Sequence, residues 1–134
     1  MLLLDTCALI WMANGDPFLP AALRALRKAA ERGELFLSPV SAWEIGVLAS
    51  RRRLELQVPA RVYVEQVFSR PEIQVAPLTP EIAVQASYLP GQFHSDPADR
   101  LIVSTAMVMG LQVMTRDRRI LDYGAKGHVP VMAC

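Results

Sequence analysis

The chain has 134 residues, 52% of them hydrophobic and 20% charged, with 14 Lys and Arg against 13 Asp and Glu. That length and composition read as one globular domain, 1–134, able to bury a core without metal or disulfide staples, and they exclude a disordered tail. Asp5 breaks the apolar start "MLLLDTCALIW", which excludes a secretory signal, and no run approaches the roughly 20 apolar residues needed to cross a bilayer, so a cytoplasmic protein is expected.

In chain order, "LLL" before Asp5 predicts a short buried strand, and "CALIWMA" a helix that stops at the turn "NGDP". The stretch from Ala21 to Arg32 is rich in helix formers and ends at Gly33, after which "LFL" at Leu35–Leu37 predicts a second strand. "SPVSAWEIGVLASRRR" and "VPARVYVEQVFSR" predict two helices, "IQVAPL" a strand, and "TPEIAVQASYL" a helix with a Thr-Pro start. "DPADRLIVSTAMVMG" repeats that construction, with Asp96 at the cap and Pro97 in the first turn, and "LQVMT" and "VPVM" are the last two strands. Apolar strands alternating with helices call for a mainly parallel sheet of about five strands, covered on both faces in a three-layer α/β/α sandwich. Ligands of such sheets bind beyond the carboxyl ends of the strands, where Asp5 and Asp117 fall.

Two more acids lie on helices. On a helical wheel Glu44 falls within the arc of Val40, Trp43, Ile45, Val47 and Leu48, and Asp99 shares a stripe with Ile102, Val103, Ala106 and Gly110. Both therefore face inward. Ser41 and Glu44 also satisfy a capping-box spacing, but Ser38-Pro39 is the stronger helix start and puts Glu44 in the second turn. Asp96 reads equally well as a plain cap and as a contributor to the site.

Four carboxylates at one crevice repel by roughly 4 kcal/mol per close pair at an effective dielectric near 20, so a positive group is needed among them. Lysine is nearly absent, only Lys28 and Lys126, and the arginines near the acids sit at exposed-looking positions. An all-oxygen donor set selects Mg²⁺ or Mn²⁺. His94 and His128 have no paired ligand spacing and read as ordinary polar residues; Cys7 and Cys134, with no CxxC spacing, read as free thiols. With Asp5, Glu44, Asp96, Asp99 and Asp117 set aside, eight acids remain against 14 basic residues, so the rest of the surface carries +6. The densest basic spots are Arg51–Arg53 and Arg116, Arg118 and Arg119.

Taken in order, "LLLDTCALIW", "LSPVSAWEIG", "FHSDPADRLIVSTA" and "VMTRDRRI" resemble the motifs of PIN-domain ribonucleases, in particular the VapC-type toxins of toxin–antitoxin pairs. The resemblance runs end to end. It implies an acidic quartet of Asp5, Glu44, Asp99 and Asp117 holding Mg²⁺ or Mn²⁺, with Asp96 a further candidate ligand. It also implies RNA as substrate, a homodimer, and a cognate antitoxin protein that occupies the site. In that chemistry a metal-activated water hydrolyses the phosphodiester, Thr6 and Thr115 orient ligands or water, and Arg116 is a candidate contact for the substrate phosphate. The competing readings are a non-catalytic interaction domain on the same scaffold and a PIN nuclease serving RNA processing. Self-association is expected through "VPARVYVEQVF", where Val62, Tyr63, Val67 and Phe68 exceed one buried stripe.

Overall fold

The computed structural model describes residues 1–134. Five strands, β1 (Leu2–Leu4), β2 (Leu35–Leu37), β3 (Ile73–Val75), β4 (Gln112–Thr115) and β5 (Val131–Ala133), form one all-parallel sheet in the order β3-β2-β1-β4-β5. Seven helices cover it: α1 (Thr6–Asn14), α2 (Pro20–Glu31), α3 (Pro39–Ser50), α4 (Ala60–Phe68), α5 (Pro80–Gln85), α6 (Pro97–Met109) and α7 (Arg118–Ala125). None is long and apolar enough to cross a membrane.

The pleat sends Leu2 and Leu4 to one face and Leu3 to the other, so the central strand feeds two separate cores. Leu2 and Leu4 pack with Leu9 of α1, Leu26 of α2, Ile45 of α3 and Val67 of α4. Leu3 packs with Ile102 and Val103 of α6 and Ile120 and Tyr123 of α7. Strand order runs outward from β1 to β3 on one side, then restarts at β4 on the other. The split between β1 and β4 is thus the topological switch point, where a parallel sheet opens a crevice at its carboxyl end.

Helix starts follow the sequence signals closely. Ser38, Thr79 and Asp96 each accept a hydrogen bond from a first-turn N–H ahead of a proline, and Gly15 and Gly110 end α1 and α6 at positive φ of 74° and 67°. The structure adds three things that the sequence pattern did not show. "RRILDYGA" forms α7, which propensity disfavours because Gly124 lies inside it; a Cβ there would stand 2.3 Å from a Val131 methyl, so the glycine is what lets α7 lie against β5. Trp43 is 58% exposed, whereas Ser41 is fully buried; the inward arc of α3 is rotated toward Ser41, whose hydroxyl lies 3.0 Å from Thr6 Oγ1. In α4 Val67 is buried and Tyr63, Val64 and Phe68 lie against the first core, so most of this helix's large apolar side chains help complete the core, while Ala60 and Val64 also border an open groove against α3.

Candidate active site

β1 and β4 deliver the first two acids. Asp5 follows β1 directly and caps α1, its Oδ1 accepting the Ala8 N–H at 2.7 Å, while its Oδ2 accepts the Thr115 hydroxyl from the end of β4. Thr115 Oγ1 in turn accepts the Asp117 N–H at 2.9 Å. Asp117 caps α7, taking the N–H groups of Arg119 at 2.8 Å and Ile120 at 3.4 Å. One threonine hydroxyl thus joins the two strand-end acids.

The other two come from helices that begin at the same end of the sheet. Glu44, one turn and a half into α3, accepts the Thr6 hydroxyl, which also lies 3.0 Å from Ser41 Oγ. Asp99, in the first turn of α6, is 13% exposed and receives no backbone N–H; its Oδ2 stands 3.1 Å from His94 Nε2 and 3.5 Å from Arg119 Nη2. Asp96 is the cap, accepting Ala98 N–H at 3.0 Å. Thr6 and Thr115 therefore hold Glu44 and Asp5 respectively, each from its hydroxyl.

The electrostatics show carboxylates crowded together. Burial holds the Asp5 carboxyl above its ordinary range in spite of the Thr115 and Ala8 hydrogen bonds, and Asp117 pushes it the same way. Glu44 is raised by burial and by Asp96 and Asp5. Asp99 is pushed up to about 7, by burial first and then by Asp96, Asp117 and Glu44, against the pull of Arg119. Only Asp117 is lowered, because the Arg119 side chain bonds it at 2.9 Å and 3.3 Å and two backbone N–H groups add to that. The exposed Cys7 thiol records the same field: burial and then all four acids, Asp5, Glu44, Asp99 and Asp117, raise it to about 11. The contacts join the same residues: Thr115 links Asp5 to the Asp117 backbone, Arg119 links Asp117 to Asp99, and Thr6, next to Asp5 in the chain, holds Glu44.

Two residues that sequence reasoning passed over belong to this cluster. Arg119 bridges Asp117 and Asp99, and its Nη1 reaches 3.4 Å from His94 Nδ1, so it is the cation set among the acids. His94 is no ordinary surface polar group. Its Nδ1 accepts the Asp96 N–H at 3.3 Å, which puts the proton of the neutral ring on Nε2, a buried atom close to Asp99 Oδ2 but not aligned to bond it; burial, then Arg119, favour that neutral form. The spacing of "FHSDPAD", with a histidine five residues before an inward acid, was the available signal. Arg116, expected near the substrate phosphate, is committed elsewhere: Nε donates to the Cys134 carbonyl at 2.7 Å, Nη2 to the Pro17 carbonyl at 2.6 Å, and the guanidinium lies 3.4 Å over the Trp11 ring. Its donors secure the α1–α2 connection to the end of β5 instead.

The donor set is oxygen, from four carboxylates with hydroxyls behind two of them, and three of those carboxylates carry repulsion that a cation would relieve. As placed here, no three Asp, Glu, His or Cys side chains lie close enough together to hold a metal ion between them. Mg²⁺-like ions keep several waters and need only one or two carboxylates directly, so this open arrangement suits a hydrated hard cation and not a structural zinc.

The family profile of the PIN domain matches residues 2–126. The chain is 34% identical over 113 residues to Ribonuclease VapC22 of Mycobacterium tuberculosis, covering 84% of this chain and 83% of that protein. Among solved structures it superposes on VapBC2 from Rickettsia felis bound to a promoter DNA fragment, with a TM-score of 0.71 at 14% identity over 98% and 97% of the two chains. VapBC of Salmonella typhimurium, bound to DNA, gives 0.69 at 17% identity over 98% and 96%, and FitAcB of Neisseria gonorrhoeae 0.64 at 22% over 98% and 96%. At those identities the structural likeness speaks for the fold.

Proposed function

The chain belongs to the PIN-domain family, and from that premise we propose that it is a divalent-metal-dependent endoribonuclease acting as the toxin of a toxin–antitoxin pair. The observation that carries this reading is the contact chain at the carboxyl ends of β1 and β4, in which Thr115 joins Asp5 to Asp117, Arg119 joins Asp117 to Asp99, and Thr6 holds Glu44. The relative that shares 34% identity bears the name of a ribonuclease, and the structural neighbours are toxin–antitoxin assemblies, which supports both an RNA substrate and an antitoxin partner.

Asp5, Glu44, Asp99 and Asp117 are the residues assigned to hold Mg²⁺ or Mn²⁺. Such an ion, when bound, supplies a water made nucleophilic near neutral pH and neutralises charge gathering on the phosphate. The chain's own part is to fix the ligands. Thr115 and the Ala8 N–H aim both oxygens of Asp5, Thr6 aims Glu44, and the α7 N-terminus aims Asp117. Asp99, one-eighth exposed and bonded to no backbone, is the acid freest to change partner. Arg119, more than half exposed on a flexible stem, pairs with Asp117 and Asp99 at the rim of the site, where its guanidinium could also meet a substrate phosphate.

The test is cleavage of single-stranded RNA by the purified protein with and without Mg²⁺ or Mn²⁺. Cleavage that depends on the ion and stops in excess chelator is expected; undiminished cleavage in chelator, or a strong preference for DNA, would overturn the reading. Homodimerisation is proposed through the open apolar groove of Trp43, Leu78 and Leu101, in place of α4, and light scattering at micromolar concentration checks it: a monomer would exclude it.

A further inference from the structure

Beside the acids lies a second concavity of about 570 Å³, walled by Gly91, Gln92, Phe93, His94, Arg100 and Lys126. We propose that it holds the nucleotide adjoining the scissile phosphate of a single-stranded RNA. The proposal rests on the ribonuclease reading and extends it to where the substrate lies.

Position comes first. His94 belongs to both sites, since its ring lines the cavity while its Nε2 stands 3.1 Å from Asp99 Oδ2. Whatever fills the cavity is one imidazole away from the acids. The volume falls within the roughly 300–1,000 Å³ of small-molecule pockets, enough for one nucleotide.

Charge distinguishes the cavity from its neighbour. Two of the six lining residues are cationic and none is acidic, at the border of a cluster of five carboxylates. Arg100 is fixed by three bonds, Nε to the Ala86 carbonyl at 2.8 Å and Nη1 to the Phe93 and His94 carbonyls at 3.0 and 3.2 Å, so its charge stays in place. Lys126, exposed at the end of α7, enters none of the molecule's ion pairs and is open to a phosphate. Gln92, exposed at the rim, offers a donor and an acceptor to a base edge, and Phe93 supplies the single apolar wall.

The wall is also preorganised. Gly91 takes φ of +67°, and a Cβ on it would stand 2.8 Å from His128 Nε2. His128 stacks on Tyr123 at 4.5 Å, the Tyr123 hydroxyl donates to the Pro90 carbonyl at 2.6 Å, and Phe93 meets Tyr123 at 4.8 Å. The loop is thus seated on α7 by a row of rings, and a ligand need not pay to order it.

Kinetics on short single-stranded RNA with Mg²⁺ test the assignment, using Lys126→Ala and Gln92→Ala, two exposed side chains whose removal is checked by melting. Lys126→Ala should raise KM about five- to ten-fold with kcat held, and lower the slope of log KM against log salt by about 0.7 to 0.9, the value of one lost phosphate contact. Gln92→Ala should keep KM within about two-fold but flatten base preference at one position beside the cut. If the parent cleaves RNA while both variants keep its KM, salt slope and cut map, the cavity is not a nucleotide site. If the parent does not cleave, the ribonuclease reading fails, and anisotropy of a labelled oligoribonucleotide in chelator decides the cavity alone: a several-fold weaker Kd for Lys126→Ala sustains it, and equal Kd values overturn it.

Discussion

The starts of α6 and α7 solve one problem in two ways. At α6 the work is divided: Asp96 caps the helix, and Asp99, one turn on, faces the crevice with no backbone bond. At α7 a single residue, Asp117, both caps the helix and faces the crevice. The two inward acids share one guanidinium, yet they shift in opposite directions, Asp117 lowered by its bonds to Arg119 and Asp99 raised to about 7 by burial among other acids. An arginine at 3.5 Å does not offset desolvation, whereas direct hydrogen bonds from side chain and backbone do. In the proposed site Asp117 therefore serves fold and chemistry together, while Asp99 is placed for the chemistry at the expense of the fold.

The largest contrast lies in activity. Asp99→Asn and Asp117→Asn should each lower RNA cleavage about a thousand-fold, since each removes a candidate metal ligand, while Asp96→Asn, itself a good cap, should stay within a few-fold. Equal loss in all three would erase the division of labour at α6. Stability sets the two acids apart next. In chelator, Asp117→Ala should lose about 1–2 kcal/mol with its cap, and Asp99→Asn should gain about 1 kcal/mol by relieving buried repulsion, measured by denaturant melts; Mg²⁺ should then stabilise the parent more than Asp99→Asn. A loss of metal-free stability in Asp99→Asn would show that the fold uses its charge.

The smallest effect is a change of slope with pH. Because folded Asp99 holds its proton to about pH 7 while the unfolded chain releases it near 4, the metal-free protein should become less stable as pH rises through that interval and level off above it. Asp117 has the opposite sign: its lowered value contributes stability above the ordinary carboxylate range, lost on acidification below it. Melting temperatures from pH 4.5 to 8 in chelator should fall for the parent and fall less steeply for Asp99→Asn, in which the raised Asp5 and Glu44 carboxyls still add a slope of the same sign. Parallel profiles would mean that Asp99 is not the group responsible.

How much of this was visible beforehand depended on the range of the interaction. The five strands, the caps at Ser38 and Asp96, and the inward turn of Asp99 are local patterns of period and punctuation, and all were legible. Glu44 was legible as well, although Trp43 was not, because a wheel ranks by hydropathy and could not know that Ser41 finds a hydroxyl partner in Thr6. α7 stayed hidden because the reason for Gly124 is Val131, on another element. His94 and Arg119 were missed for a like cause: the contact between Arg119 and Asp99 spans 20 residues and exists only once α6 and α7 lie side by side. Arg116 looked suitable for phosphate by sequence proximity alone, and its carbonyl partners 18 and 99 residues away decided otherwise.

The bond from Thr115 to Asp5 spans 110 residues, and it joins the central strand to a neighbour made long after it. In time, this places assembly of the site late. A chain emerging from the ribosome exposes Asp5 and then Glu44 long before β4 and Asp117 exist, and β1 has only one of its two flanking strands until residue 112 arrives. Contacts so distant along the chain also form slowly, because the loop must close before they can reward it. The carboxylates consequently come together only after residue 117 has been made, and a chain stalled before it lacks the last of them.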